Sequence, residues 1–394
     1  MALLTAPQAR PTPHFAPICK PQLLRRSIVS LSWPCNPNSY PQFSSRLDAL
    51  SFGAYTVLRL RSESCGRRGR TAALEDSATA RALSPASEPQ GEEECGAKRR
   101  ILLSDVVVTR PRDVFRGRRW KSLDVATIGV VVAMHLLSLF APFCFNWRAL
   151  WVSLGLYLVT GLFGITLSFH RNLSHRSFKL PKWFEYCFAY CGVLALQGNP
   201  IDWVSTHRYH HQFCDSDRDP HSPLEGFWFS HMSWLFDSDY VTQRCGGPNN
   251  AVDLQKQPFY RFLQRTYIAH PIGLGILLYA FGGLPFLVWG MGVRTTWVYH
   301  ITWLVNSACH VWGKQAWNTR DLSRNNLWVA LLSFGEGWHN NHHAFEYSAC
   351  HGLEWWQIDM TWYTIRLLQA VGLATEVKLP SELQRQRMAM EAVN

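Results

Sequence analysis

Residues 125–147 include no Lys, Arg, Asp or Glu, and 149–169 is equally uncharged, with only Arg148 between them. A second uncharged pair covers 271–291 and 295–312, with Arg294 near the break. About 20 residues at 1.5 Å rise cross the ~30 Å hydrocarbon core of a bilayer, where only helices and closed barrels satisfy every backbone polar group. Four transmembrane helices in two hairpins are expected, which commits the chain to an all-α integral membrane fold. The mean hydropathy of -0.10 hides this by averaging the apolar blocks with a polar N-terminal region. Residues 183–197 are apolar too, but the stretch is short and contains Glu185, which suits an interfacial or re-entrant helix.

The 394 residues have a formal net charge of +11, which would fit a nucleic-acid partner if it lay on the folded part. It lies elsewhere. Residues 1–70 hold ten Lys or Arg against Asp48 and Glu63, leaving 29 basic and 26 acidic residues for the rest. That stretch is rich in Ser, Pro and Arg and poor in acids, the composition of a plastid transit peptide. Residues 71–100 are Ala-, Ser-, Pro- and Glu-rich without periodicity and read as a disordered linker, leaving 101–394 as the membrane domain. No nucleic-acid partner is expected. The eleven cysteines include no CxxC pair, so neither a disulfide framework nor a cysteine metal site is expected.

Three histidine clusters punctuate the membrane domain: "HRNLSH" (170–175), "HRYHH" (207–211) and "HNNHH" (339–343). The first begins where the second span ends, the second follows without a further full span, and the third comes after two more, so all three emerge on one membrane face. The basic "RGRRWK" (116–121) shares that face and marks it as cytoplasmic, or stromal in a plastid. On a helix, positions i, i+3 and i+4 fall within a 100° arc, so His207, His210 and His211 project from one face, as do His339, His342 and His343. His170 and His175 are five apart, about 140° round an α-helix, and need a helix end or a distortion to aim at one centre. Asn306 and His310 lie one turn apart inside the last span, where polar groups are costly unless they face a site. Nine imidazoles exceed what one metal uses and suit two ions of Zn, Fe or Cu. His135, His231, His270, His300 and His351 read as structural or interfacial, and His221 as a neighbour of the ligands. "HPIG" (270–273) opens a span and is no haem module.

These boxes, with "NSACH" upstream and "GEGWHNNHH" around the third, resemble the membrane fatty acyl desaturases of the stearoyl-CoA type over roughly residues 100–390. The resemblance implies four spans with a helical cap carrying a histidine-rich site for two non-haem iron ions. By motif position, one iron takes His170, His175, His211 and His343, with Asn306 holding a water; the other takes His207, His210, His310, His339 and His342. The implied activity is O2-dependent insertion of a cis double bond into a membrane acyl lipid. The leader points to a plastid, with ferredoxin as electron donor, or cytochrome b5 if the chain resides in the endoplasmic reticulum; the resemblance is nearest to the plastid branch of the family, which implies action at Δ7 of palmitoyl chains on monogalactosyldiacylglycerol. Alternatives are Δ9 desaturation on acyl-CoA or acyl-lipid, or a related hydroxylase. No HExxH occurs to support a zinc protease, and no ExxH pairs in the boxes to support a carboxylate di-iron enzyme. The spans are too apolar for a metal transporter. Trp203, Trp228, Trp234, Phe227 and Phe229 are candidate walls of an acyl tunnel. Leu224-Glu225 and the acids of "WLFDSDY" (234–240) argue against a phosphate-rich CoA head.

Overall fold

The computed structural model describes residues 99–389; the expected transit peptide and nearly all of the expected linker lie outside the described residues. A short antiparallel pair, β1 (Arg99–Arg100) and β2 (Val107–Val108), opens it, with Arg99 opposite Val108. Helix α1 (Ser122–Ser138) follows. Asp124 in its first turn is fully buried and accepts from Arg118 Nη1 at 2.7 Å and Ser238 N at 2.9 Å, which ties the helix start to the later chain. The first rod ends nine residues before the expected Trp147, because Pro142 opens a 3-10 turn (Ala141–Cys144) and the chain then extends at Phe145.

Asn146 caps α2 (Trp147–Tyr157) by accepting from Arg148 N and Ala149 N. The helix runs without a break into a π-helix, Leu158–Ser174, so that the 28 residues Trp147–Ser174 form one continuous, mainly apolar rod. Helix α3 (Lys182–Val193) is the expected short apolar helix and packs against the π segment. A Cβ on Gly164 would lie 2.6 Å from Gly192 N, so the two backbones meet because neither residue has a side chain. Helix α4 (Pro200–Phe213) is capped by Asn199; α5 (Phe227–His231), α6 (Ser238–Cys245), α7 (Val252–Gln255) and α8 (Pro258–Thr266) follow it.

Helix α9 (Ala269–Leu287), a π turn (Val288–Val293) and α10 (Arg294–Asn306) lie within one 42-residue apolar helical stretch, Ala269–His310. At 1.5 Å per residue that is about 60 Å, twice a bilayer core. It is folded. Gly283 adopts φ 63°, ψ -155°, and beyond it the chain turns back on itself: a methyl on Gly290 would lie 2.8 Å from Leu278 Cδ1. The expected break at Arg294 is therefore corrected. Arg294 is buried inside the second limb, where its guanidinium donates to Gly290 O and to Leu194 O, each at 2.9 Å. Leu194 ends α3, so the cation sits at the negative end of that helix.

Four apolar rods result, two of them limbs of one folded stretch, and two helical stretches are long and apolar enough to cross a membrane. Their outward faces carry Leu136 on α1, Trp151 on α2, and Ile276 and Phe281 on α9, a surface suited to lipid. After α10 come α11 (Leu327–Leu332), α12 (His339–Ala344), α13 (Met360–Ala370) and α14 (Glu382–Met388).

Candidate metal centre

The π winding settles how His170 and His175 meet. A π-helix bonds each N–H five residues back, and His175 N donates to His170 O at 3.2 Å, so residues five apart lie on one side of the helix and these two rings meet edge to face with centroids 4.9 Å apart. Arg208, between the histidines of α4, covers the open end of this helix by donating to Leu173 O at 2.8 Å and Ser174 O at 3.1 Å. Asp253 takes both Arg208 and Arg176, which joins the first box to the second. In α12 the asparagines between the histidines point away. Asn340 Oδ1 accepts from Ala316 N and Trp317 N, and Asn341 Nδ2 donates to His351 O and Gln357 Oε1.

All nine histidines converge, in two groups. His170, His175, His207, His211 and His342 place their ligand atoms within 4.8 Å of one another. His210, His310 and His343 form a second group with Cys214, which His339 joins through Nε2, 3.0 Å from both His310 Nε2 and His343 Nε2. This corrects the expected division: His207 and His342 belong with the first group, His343 with the second. The reason is helical. In each HxxHH box the outer histidines, four apart, differ by 40° and share a centre, whereas the third is rotated by 60° or more from one of its partners and serves the other. Asn306 ends α10 and lines a cavity with His207.

Four carboxylates orient these rings. His343 Nδ1 donates to Asp321 at 2.9 Å, His210 Nδ1 to Asp219 at 3.1 Å and His310 Nδ1 to Asp215 at 3.2 Å, while His170 Nδ1 lies 2.7 Å from Glu336 Oε2. A carboxylate only accepts, so these Nδ1 atoms carry the protons and each Nε2 presents a lone pair. His310 and His343 then aim two lone pairs at His339, a demand that one ring proton cannot meet. A cation at each focus fits this donor set, and clustered neutral imidazoles are ligands for Fe, Zn or Cu. Burial and then the neighbouring rings hold His207, His211, His339 and His342 well below the usual imidazole range. Burial brings His343 to about 4 despite Asp321, so these five rings are neutral near pH 7.

The carboxylates had no assigned role in the sequence reading, although "DSDRD" directly after the second box was a visible signal. Glu336 and Asp359 also receive the fully buried Arg171 at 2.9 Å each. His351 is buried with its ring 4.4 Å from that of His342, nearer the centre than a merely interfacial residue. Cys214 lies 4.0 Å from His210 Nε2, but burial and then Asp215 keep its thiol well above the ordinary range, and hence protonated.

A cavity of about 520 Å3 abuts the first group at His207 and runs past Trp203, Trp234, Val131, Leu196 and Tyr299, within the range of pockets that take a small molecule. Of the candidate tunnel walls, Trp203 and Trp234 line it, whereas Phe229 packs on Tyr240 and Trp228 is mostly exposed. The acids read as repelling a phosphate are already paired: Glu225 with Arg244, Asp237 with Arg112 and Arg118, Asp239 with Lys121. That argument against CoA is withdrawn.

The fatty acid desaturase family model matches residues 145–372. The Arabidopsis thaliana palmitoyl-monogalactosyldiacylglycerol delta-7 desaturase, chloroplastic, is 74% identical over 295 residues, covering 75% of this chain and 80% of its own. An Anemone leveillei acyl-CoA 5-desaturase is 62% identical over 289 residues (73% and 90%). The Arabidopsis thaliana delta-9 acyl-lipid desaturase 1 is 62% identical over 273 residues (69% and 89%). The matched segment contains all nine converging histidines, the helix that winds two of them together and the turn that brings in His310, and the chain belongs to the fatty acid desaturase family.

Proposed function

We propose that this chain is an O2-dependent acyl-lipid desaturase that places a cis double bond at Δ7 of a palmitoyl chain on monogalactosyldiacylglycerol, in a chloroplast membrane. The observation that carries the reading is that His207 belongs both to the five-histidine group and to the wall of the apolar cavity. Lipid class and bond position rest on the 74% likeness to the galactolipid enzyme.

Two non-haem iron ions suit the two groups, one held by His170, His175, His207, His211 and His342, the other by His210, His310, His339 and His343 with a water on Asn306. Such ions supply O2 activation and hydrogen abstraction from an unactivated methylene. The rest falls to the chain. Asp215, Asp219, Asp321 and Glu336 keep the Nδ1 protons outward; Trp203, stacked on His207 at 5.2 Å, fixes that ring at the cavity wall; and the apolar walls exclude water and set which methylene pair reaches His207. All methylenes of a saturated chain are chemically alike, so selection is a matter of depth. Four spans with the boxes facing the stroma are supported by the four apolar rods and by the basic run before α1, and ferredoxin is the corresponding electron donor.

Expression in a host that supplies both galactolipid and acyl-CoA, followed by mass-spectrometric location of the double bond and iron analysis, tests this. Δ7 product on monogalactosyldiacylglycerol with two irons per chain is expected. With the acids paired and an acyl-CoA relative at 62%, acyl-CoA is the second reading, and exclusive product on that pool would replace the first.

A further inference from the structure

The chain between His310 and α11, residues 312–326, covers the second histidine group on the side of its orienting carboxylates. Asp321 accepts from His343 Nδ1 at 2.9 Å, and Leu322 N donates at 2.9 Å to Asp215, the partner of His310. Trp317 N and Nε1 donate to Asn340 and Asn341 of box three, each at 2.8 Å. The other side of this loop meets solvent. Lys314 and Arg320 are exposed and flank a closed pair, since Gln315 Nε2 donates to Asp321 O at 2.9 Å. Arg320 adopts φ 62°, a left-handed backbone uncommon outside glycine, and Thr319 Oγ1 and Ser323 N hold the bend by donating to Asp321 Oδ1. Arg320 therefore stands outside while the next residue, Asp321, turns in to His343.

Charge on this surface is one-sided. Residues 312–326 hold Lys314, Arg320 and Arg324 against Asp321. Asp321 is taken by His343, and Arg324 by Asp105 at 2.7 Å, which leaves Lys314 and Arg320 without an ion pair among the described residues. Helix α14 adds to them, because Asn318 N donates at 3.0 Å to Met388 O, next to the exposed Arg387, which also has no ion pair among the described residues. Glu382, the one acid of α14, lies at its other end. Cations without counter-ions draw an anionic partner to this spot. The exposed residues from 313 to 320 include no large apolar side chain, which suits a polar protein contact rather than insertion among lipids.

Resting on the desaturase reading, we propose that Lys314, Arg320 and Arg387 form the docking face for the electron donor, an acidic one-electron carrier protein. The reaction needs two visits by it. A CH2-CH2 pair, O2, two electrons and two protons give CH=CH and two waters, so two reduced carriers each give up one electron for every double bond made. The apolar cavity abuts the first group at His207 and is taken by the acyl chain, whereas the loop lies over the second group and stays accessible. His310 and His339 are at most 2% exposed, so a carrier cannot touch these rings directly. At Arg320 it comes within one residue of Asp321, whose carboxylate holds His343.

Titration of the holoenzyme, in uncharged detergent, with a plant-type [2Fe–2S] ferredoxin reads the contact as a Kd. Lys314→Glu/Arg320→Glu is expected to weaken binding about 10-fold or more at low salt with iron content kept, and the difference to shrink as salt is raised. KM for the reduced carrier is expected to rise in step, with kcat at saturating carrier retained. Arg387→Glu, on a separate element, shows the same direction should the double variant fail to fold. Arg116→Glu, an exposed cation of the run before α1, is expected to leave Kd as in wild type. Wild-type Kd in both patch variants, or equal weakening by Arg116→Glu, overturns the docking face. So does a patch whose reversal abolishes binding to phosphatidylglycerol vesicles but not to the carrier. If the wild-type chain forms no double bond in any lipid, the desaturase reading fails by itself, and the Kd series still decides the docking.

Discussion

Each HxxHH box divides its histidines between two centres, two to one and one to the other, and the two boxes divide in opposite senses. Box two gives His207 and His211 to the first group and His210 to the second; box three gives His342 to the first and His339 with His343 to the second. The double variant His207→Ala/His211→Ala is therefore expected to lose one iron per chain and keep the other, whereas His207→Ala/His210→Ala damages both centres. Iron content by elemental analysis separates the two. Glu336→Gln leaves every ring in place but weakens the contact at His170 Nδ1 and the pairing of Arg171. Metal affinity is expected to fall roughly 10- to 100-fold, read by competition with a chelator, with helix content unchanged. The residue types and spacing of the nine histidines were legible in the sequence because HxxHH is rare and local. Their division was not: spacing sets the outer pair of each box apart from the third histidine, but not which of the two groups each joins. The orienting carboxylates were hidden for another reason: Asp321 and Glu336 approach His343 and His170 only after the chain folds.

The π-helix Leu158–Ser174 and the fold at Gly283 decide where ligands meet. A distortion near His170 followed from the five-residue spacing, but its form, a long π winding rather than a frayed end, follows from packing against α3 at Gly164 and Gly192, which no local pattern encodes. The turn of the second hairpin was misplaced because charge was used to mark it. Arg294 is satisfied by carbonyls within the bundle, while Gly283 adopts a backbone nearly restricted to glycine. Gly283→Ala is expected to destabilise the protein by about 1–3 kcal/mol, observed as earlier thermal loss of helix signal in detergent, with the wild-type double-bond position retained in surviving enzyme. Asp253→Asn breaks the clamp between Arg176 and Arg208. Its expected signature is faster iron loss, because Arg208 then keeps only its bonds to Leu173 O and Ser174 O between the first and second boxes.

For the whole molecule, the two ends of the rods are chemically distinct. Trp355, 93% exposed, belongs to the segment that follows the third box, while Phe143, 86% exposed, lies in the turn between the first two rods. In intact plastids, Trp355→Cys is expected to react with an impermeant maleimide from the stroma and Phe143→Cys only after the membrane is breached. Equal labelling from one side would defeat the four-span arrangement. That the described residues are mainly helical was readable from the long uncharged stretches; of the four spans expected, two helical stretches are long and apolar enough to cross a membrane. The lipid headgroup was not readable, because the acids chosen to reveal it are paired, Glu225 and Asp237 with arginines and Asp239 with Lys121.

Neither set of rings is complete until box three arrives: the first group spans His170 to His342, and the second closes only with His343, by which time both hairpins have been made. A nascent chain with only its first two boxes released from the ribosome offers four of the five nitrogens of one site and a single imidazole of the other. A complete set of donors for either group therefore exists only once box three has been made.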